Sequence, residues 1–185
     1  MLTIITPCTR QENLPKIFNS IHFDLIDKWY IIYDTSNKNN KYVRRYIGNP
    51  KIVESFCPAS GKYGNAQRNV GIHFVKDGFV YFLDDDNIIH PELWNTIPNL
   101  DPTKYYSWNQ QRNQHGLEYK SDKFQVSNID TAQFIIPKYL IEDMLWDTNA
   151  YDADTIFFKE LYSKYPEKYS YIDKIVSYYN YLTWP

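Results

Sequence analysis

The chain has 185 residues, with 20 Lys and Arg against 22 Asp and Glu, which gives a formal net charge of −2. This length suffices for one domain with one hydrophobic core and leaves little room for a second. The apolar (43%) and charged (23%) fractions are ordinary globular values and exclude a disordered chain. The near-zero charge argues against nucleic acid or an anionic membrane bound by bulk electrostatics.

The N-terminus lacks the basic and apolar regions of a signal peptide, and no apolar run approaches the ~20 residues that span a bilayer. We therefore expect a soluble, cytoplasmic protein with no direct membrane insertion. Cys8 and Cys57 are too few for a disulfide framework or a four-ligand zinc site, and we expect free thiols. The Asn-, Ile-, Lys- and Tyr-rich usage is typical of a viral or microbial source with an A+T-rich genome.

The first 90 residues alternate short apolar runs with apolar residues at helical spacing. Strands are predicted at residues 2–6, 29–33, 51–56 and 79–83, with helices beginning near Leu14 and Asn65 and a short one over 42–47. This alternation predicts a mostly parallel sheet with helices on both faces and the strand order third, second, first, fourth.

The pattern changes after Pro91, where residue spacing favours a mixed α/β half. Strands are predicted at 105–108 and 131–136, a hairpin-like stretch at 110–116, and helices at 138–145 and 154–164. The Tyr-rich segment 169–181 fits either a strand or an irregular wrap. We expect a single domain over 1–185, with a parallel half at 1–90 and a mixed half at 91–185.

Three consecutive acids, Asp84, Asp85 and Asp86, follow the buried strand at 79–83. Ligands bind at the carboxyl edge of a parallel sheet, and three adjacent carboxylates repel one another unless a cation or donors compensate them. Carboxylates two residues apart on an extended segment point the same way. Asp84 and Asp86 therefore suit Mg²⁺ or Mn²⁺ that bridges phosphate oxygens. An acidic turn that caps the helix near Pro91 is the alternative.

The segment from Gly64 to Asn69 precedes that strand and starts a helix. A helix N-terminus offers free N–H groups to an anion, and the guanidinium of Arg68 suits phosphate. Asn65 as a simple helix cap and Arg68 as a solvated side chain are the alternative.

The two segments together resemble a known family. QRN at 67–69 and VYFLDDDN at 80–87 resemble the QRN and VYFADDDN of the β-1,3-glucuronosyltransferases, which are nucleotide-sugar glycosyltransferases of the GT-A fold. The 129–134 segment resembles their VDMAGF strand, and the chain after Ala150 resembles their GYQES-LL segment. The resemblance implies a GT-A (Rossmann-like), mostly parallel central sheet flanked by helices, with a nucleotide-binding half and a small mixed acceptor-side half.

The resemblance also implies roles for individual residues. Asp34 would contact the nucleotide base, Asp84 the ribose, and Asp86, with Asp84, the metal. The general base falls on Asp154, with Asp152 as the competitor, and either could instead be a helix N-cap. The residues assigned to nucleotide-sugar binding are Thr6, Pro7, Arg10, Asp34, Asn65, Arg68, Asp84 and Asp85.

Aromatic side chains are the candidates for acceptor binding. Trp108, followed by amide side chains, and Trp146, just before the base segment, could stack on an acceptor sugar. A plain hairpin and a core tryptophan are the respective alternatives.

The expected activity is transfer of a sugar from a nucleoside diphosphate sugar, expected to be a UDP-sugar, to a hydroxyl of a glycan or glycosylated acceptor. Mn²⁺ or Mg²⁺ would assist, and inversion is expected, with retention as the alternative. The sequence departs from the family in its Asp base, the lack of a late His and the lack of a membrane anchor. A sugar nucleotidyltransferase and a non-catalytic carbohydrate-binding module are the rival hypotheses.

Overall fold

The computed structural model describes residues 1–36, 42–58, 63–116, 118–120 and 129–185. In these residues one sheet contains eight strands: β1 (Leu2–Cys8), β2 (Lys28–Asp34), β3 (Ile52–Cys57), β4 (Phe79–Phe82), β5 (Tyr105–Gln111), β6 (Glu118–Tyr119), β7 (Phe134–Pro137) and β8 (Tyr169–Tyr178). The helices are α1 (Leu14–Ser20), α2 (Asn65–Phe74), α3 (Pro91–Thr96) and α4 (Ala153–Lys164).

The strand order is β3-β2-β1-β4-β7-β5-β6, with β8 paired to β5. The parallel pairs β1–β2, β1–β4 and β2–β3 confirm the order predicted for the first half. β7 runs antiparallel to both β4 and β5, and β8 runs parallel to β5. Strands β1 to β5 and β8 therefore all end on one side of the sheet, here called the carboxyl edge, where β7 begins.

Apolar side chains cover both faces of the sheet. Successive residues of β4 point to opposite faces, so Tyr81 packs in one cluster with Trp29 and Trp108 while Phe82 packs in another with Phe134. Burial on both faces explains why β4 is apolar without interruption. α2 lies close against β1: a Cβ added at Gly71 would come within 2.4 Å of the Ile5 side chain, so only glycine permits this approach.

Two predicted helices are wrong. Residues 42–47 form no helix, because the carboxylate of Glu54 accepts the backbone N–H groups of Arg45 (2.9 Å) and Tyr46 (3.0 Å). The 138–145 segment keeps only a 3₁₀ turn at Lys138–Leu140.

Neighbouring segments behave differently from their patterns as well. The first three residues of the strand predicted at 131–136 form a 3₁₀ turn, so β7 starts at Phe134. The ambiguous Tyr-rich tail forms the ten-residue strand β8.

Cys8 and Cys57 are free and buried, as expected. Across the described ranges, no helix combines the length and the apolar character that a membrane crossing demands.

Candidate active site

Two cavities open at the carboxyl edge and share Asp84 and Tyr63 in their walls. The first, here called the edge cavity, has a volume of about 280 Å³ and is lined by Arg10, Asp34, Gly64 and Asp84 to Asp86, among others. The second, here called the acidic cavity, has about 270 Å³ and contains Asp84, Asp130, Asp152 and Asp154. The strand directions explain this convergence, because the segments that follow the strands meet at one edge.

Asp85 clamps the loop that follows β1. Its Oδ2 accepts the backbone N–H groups of Thr9 (2.6 Å) and Arg10 (2.7 Å), and its Oδ1 accepts the Nε of Arg10 (2.8 Å). Asn13 Nδ2 donates to the Asp85 carbonyl at 2.8 Å. The Asp85 side chain is 3% exposed. Because its oxygens already accept these donors, Asp85 holds the loop after β1 in place; it also lines the edge cavity, and its assignment to nucleotide-sugar contact stays a prediction.

Asp86 lies beside the Arg10 guanidinium. Arg10 Nη2 donates to Asp86 Oδ2 at 2.8 Å, while Asp86 Oδ1 is buried with no hydrogen-bond partner. Burial, and next the charge of Asp84, raise the pKa of Asp86 to about 6. The backbone N–H of Leu182 donates to the Asp86 carbonyl at 2.8 Å, so the segment after β8 also holds this loop.

Asp84 has different partners. It forms an ion pair with the buried Arg68 and accepts the hydroxyl of Thr131 at 3.2 Å. Residues 85 and 86 lie in a turn, so the alternation of an extended strand does not apply to 84–86. Asp84 and Asp86 nevertheless both reach the edge cavity.

The candidate ligand for a divalent cation is Asp86 alone and not a cluster of carboxylates. Within the described ranges, no three His, Cys, Asp or Glu side chains are grouped as metal ligands. Asp86 still offers a buried oxygen without a partner at a cavity wall. Mg²⁺ is commonly bound by one or two carboxylates together with substrate phosphates, and this single carboxylate meets that requirement.

Asp34 and Gly64 also line the edge cavity. Asp34 ends β2, and its Oδ1 accepts the N–H (2.9 Å) and hydroxyl (2.6 Å) of Ser36. Gly64 has φ +80°, and a Cβ there would come within 2.7 Å of Pro7 Cβ. The N-terminus of α2 therefore lies directly against the end of β1.

Asp154 lies in the first turn of α4 and lines the acidic cavity with Asp152. Its Oδ1 accepts the N–H of Thr155 at 2.8 Å, whereas the side chain of Asp152 makes no capping hydrogen bond. Burial raises the pKa of Asp154 to about 6, although the Thr155 N–H and the Arg68 charge oppose the shift. The positive end of the α4 dipole favours the ionised carboxylate, but desolvation outweighs this effect.

Residues outside the predicted site also line the acidic cavity, among them Asp130, Arg112 and Tyr179. Burial and the charge of Asp84 raise the pKa of Asp130, whose Oδ1 accepts Gln110 Nε2 at 2.8 Å. Arg112 Nε donates to Gln110 Oε1 at 3.0 Å, and its guanidinium lies 4.6 Å from the centre of the Tyr179 ring. The Asp130-x-x-Gln133 capping box was the available signal, since it places Asp130 at the edge just before β7.

One predicted contact is corrected, and two others are placed in the acidic cavity. Thr6 is fully buried and accepts the indole N–H of Trp29 at 2.9 Å, so it cannot reach a ligand. Asn65 and Arg68 line the acidic cavity and not the edge cavity. Asn65 Nδ2 donates to the Asp147 carbonyl at 2.9 Å.

Both tryptophans assigned to the acceptor are also corrected. Trp108 is fully buried and donates to the Ala132 carbonyl at 2.8 Å. Trp146 is 2% exposed, with Phe157 stacked on its ring at 4.5 Å and the Arg68 guanidinium 5.0 Å from it. Neither indole therefore offers an open face to a sugar.

Exposed aromatic rings instead lie at the rim of the acidic cavity. Tyr63 is 59% exposed and Tyr151 is 81% exposed, and their rings meet edge to face at 5.1 Å. Both residues line the cavity that holds Asp154. These two exposed rings are therefore available to a molecule that enters this cavity.

The fold is similar to that of solved structures. S. aureus TarS 1-349 matches with a TM-score of 0.74 and 16% identity, over 96% of this chain and 59% of that chain. Its complexes with UDP-GlcNAc and with UDP give TM-scores of 0.73 and 0.72 at 16% and 17% identity, over 96% of this chain and 58% and 60% of theirs.

The chain thus spans about three fifths of the length of these TarS structures. No protein-family model matches the sequence, and no curated protein matches it. The likeness to TarS shows the fold, which is the GT-A-like, mostly parallel α/β fold expected from the sequence.

Proposed function

We propose that this protein is a glycosyltransferase that moves a sugar from a UDP-sugar to an acceptor hydroxyl. The observation that carries the proposal is that two neighbouring cavities share Asp84 in their walls, with the Arg10 and Asp86 pair lining one and Asp154 lining the other. A donor that spans both cavities would place its diphosphate near Arg10 and its sugar near Asp154. The TarS complexes with UDP-GlcNAc and UDP, on the same fold, support a nucleotide-sugar donor.

The nucleotide occupies the edge cavity in this proposal. Asp34 lies at the end of β2, where its carboxylate can accept from the base. Arg10 supplies a planar cation suited to phosphate oxygens. Asp86 would hold Mn²⁺ or Mg²⁺, which when bound neutralises charge on the leaving diphosphate.

Asp154 is the proposed general base, with Asp152 as its competitor in the same cavity. With a pKa of about 6, Asp154 is mostly ionised at pH 7 and above and can accept the proton of an attacking hydroxyl. One base opposite the leaving group suffices for direct displacement, so we propose inversion at the anomeric carbon.

The acceptor would enter past Tyr63 and Tyr151, which are exposed at the rim of the acidic cavity. Tyrosine rings present both an apolar face and a hydroxyl, a combination that suits a pyranose. The acceptor is therefore proposed to be a glycan or a glycosylated molecule.

The QRN and DDDN segments support a kinship with the β-1,3-glucuronosyltransferases among glycosyltransferases. The donor sugar is best tested as a panel that includes UDP-GlcNAc and UDP-glucuronate. UDP release would be measured with each donor, with and without Mn²⁺, for the wild type and Asp154→Asn.

Metal-stimulated UDP release that Asp154→Asn abolishes is the expected result. Pyrophosphate release from a nucleoside triphosphate and a sugar phosphate would instead identify a nucleotidyltransferase. Saccharide binding without any nucleotide turnover would identify a binding module.

A further inference from the structure

The Arg10 guanidinium occupies the position where a cation would meet Asp86. Its Nη2 lies 2.6 Å from Asp85 Oδ1 and 2.8 Å from Asp86 Oδ2. The remaining oxygen of Asp86, Oδ1, is buried and has no hydrogen-bond partner. A cation therefore gains access to Asp86 only when the Arg10 side chain moves.

Backbone hydrogen bonds also hold the loop that carries Arg10. Asp85 Oδ2 accepts hydrogen bonds from the backbone N–H groups of Thr9 and Arg10, and these bonds do not involve the guanidinium. The Arg10 side chain is 42% exposed, whereas those of Asp85 and Asp86 are 3% and 12% exposed. The guanidinium is thus the exposed member of the cluster, and the carboxylates are the buried members.

Charge gives the reason for an exchange. Arg10 brings one positive charge to two carboxylates, and Asp86 keeps an oxygen without a donor. A divalent cation brings two charges to the same point and can also take phosphate oxygens as ligands. Arg10 lines the edge cavity together with Asp34 and Gly64, and a guanidinium pairs with phosphate through parallel hydrogen bonds.

We propose that Arg10 is a positioning residue that neutralises Asp86 in the free protein, is displaced from it by a divalent cation, and then binds the diphosphate of the donor. This inference rests on the proposed function, because it takes the nucleotide to bind in the edge cavity. Its consequence is coupling: cation and nucleotide each bind more tightly in the presence of the other.

Mn²⁺ binding, followed by loss of the free-ion electron paramagnetic resonance signal, tests the exchange without any turnover. The proteins are the wild type, Arg10→Ala, Arg10→Lys and Lys76→Ala, each titrated with and without UDP. Lys76 is exposed just before β4, at the edge opposite the site, so Lys76→Ala controls for the loss of one positive charge. Thermal melting checks that each variant is folded.

Without UDP, Arg10→Ala should bind Mn²⁺ at least about fivefold more tightly than the wild type, since its competitor for Asp86 is gone. UDP should tighten Mn²⁺ binding to the wild type by about fivefold or more, and this gain should shrink in Arg10→Ala. Arg10→Lys should fall between them, because a lysine keeps the charge and loses the fork. Lys76→Ala should match the wild type.

The inference is overturned if, without UDP, Arg10→Ala binds Mn²⁺ no more tightly than the wild type and Arg10→Lys is unchanged. In that case UDP binding by the wild type would still uphold the proposed function. A wild type that binds neither Mn²⁺ nor UDP under any condition overturns both.

Discussion

Arg68 and Asp84 form an ion pair at the junction of the two cavities, with the Arg68 side chain only 4% exposed. Arg68 also donates to the Tyr63 carbonyl (2.7 Å) and to Asn65 Oδ1 (2.9 Å). Its guanidinium lies 5.0 Å from the centre of the Trp146 ring. The cation at the start of α2 is thus fixed on several sides, and it fixes the carboxylate that both cavities share.

Removal of Asp84 should destabilise the protein, because it leaves the buried Arg68 without its counter-ion. For Asp84→Ala we expect a loss of about 3 kcal/mol in the free energy of unfolding. Urea denaturation measures this loss, and Asp77→Ala, an exposed acid at the opposite edge, should change stability by less than about 0.5 kcal/mol. Equal stability of the two variants would show that the ion pair does not hold the junction.

Asp154→Asn should lower kcat by about 10²-fold or more with the KM for the donor little changed, because the base acts in the transition state. The pH profile of the wild type should fall as Asp154 becomes protonated below pH 6. Glu160→Gln, at an exposed position of the same helix, is the matched control. Full activity of Asp154→Asn together with loss in Asp152→Asn would transfer the role to Asp152.

The same Asp154→Asn variant should be more stable than the wild type at high pH. The native pKa of Asp154 is raised from 3.8 to about 6, so the native state binds more protons than the unfolded state. The contribution of the protonated Asp154 to the free energy of unfolding is fully present below pH ~4 and is lost as the pH rises through 6. We expect Asp154→Asn to gain about 1 to 2 kcal/mol over the wild type at pH 8 and nothing at pH 4. Urea denaturation at both pH values gives the difference, and a gain independent of pH would contradict it.

Tyr151→Ala should raise the KM for the acceptor by about fivefold while the KM for the donor stays constant, since an aromatic contact contributes about 1 kcal/mol. Tyr139→Ala removes another exposed tyrosine, 47% exposed, that lines neither cavity. Steady-state kinetics with varied acceptor and varied donor separate the two effects. A rise in the donor KM alone would mean that Tyr151 contacts the donor and not the acceptor.

Gly64→Ala should weaken UDP binding and lower stability, because the new Cβ meets Pro7 in addition to the positive φ. Gly116→Ala is the matched control for the cost of the positive φ alone, since Gly116 also has φ +80° and nothing lies within 4 Å of its added Cβ. We expect the Gly116 variant to lose about 1 kcal/mol of stability and the Gly64 variant clearly more. Equal losses measured by thermal melting would mean that the contact with Pro7 relaxes freely.

Local pattern determined the first half of this protein. Short apolar runs that alternate with helical spacing fix parallel strands, and β2, β1 and β4 take the predicted order. The same pattern places Asp34 and the acids after β4 at the carboxyl edge, because each directly follows a strand. Such information is contained in a few neighbouring residues, so it can be obtained from sequence alone.

Contacts between distant residues decided the chemistry of the edge. Asp85 accepts hydrogen bonds from Thr9 and Arg10, which lie 75 residues or more away in the sequence. Asp85 therefore holds a loop in place, a role that its position among the three acids did not indicate. Asp130 reaches the cavity because β7 runs antiparallel to β4 and so begins at the edge where β4 ends. Burial of Trp108 likewise follows from sheet packing. An amino-acid pattern specifies which way a side chain can point, but its partners depend on which segments the fold brings against it.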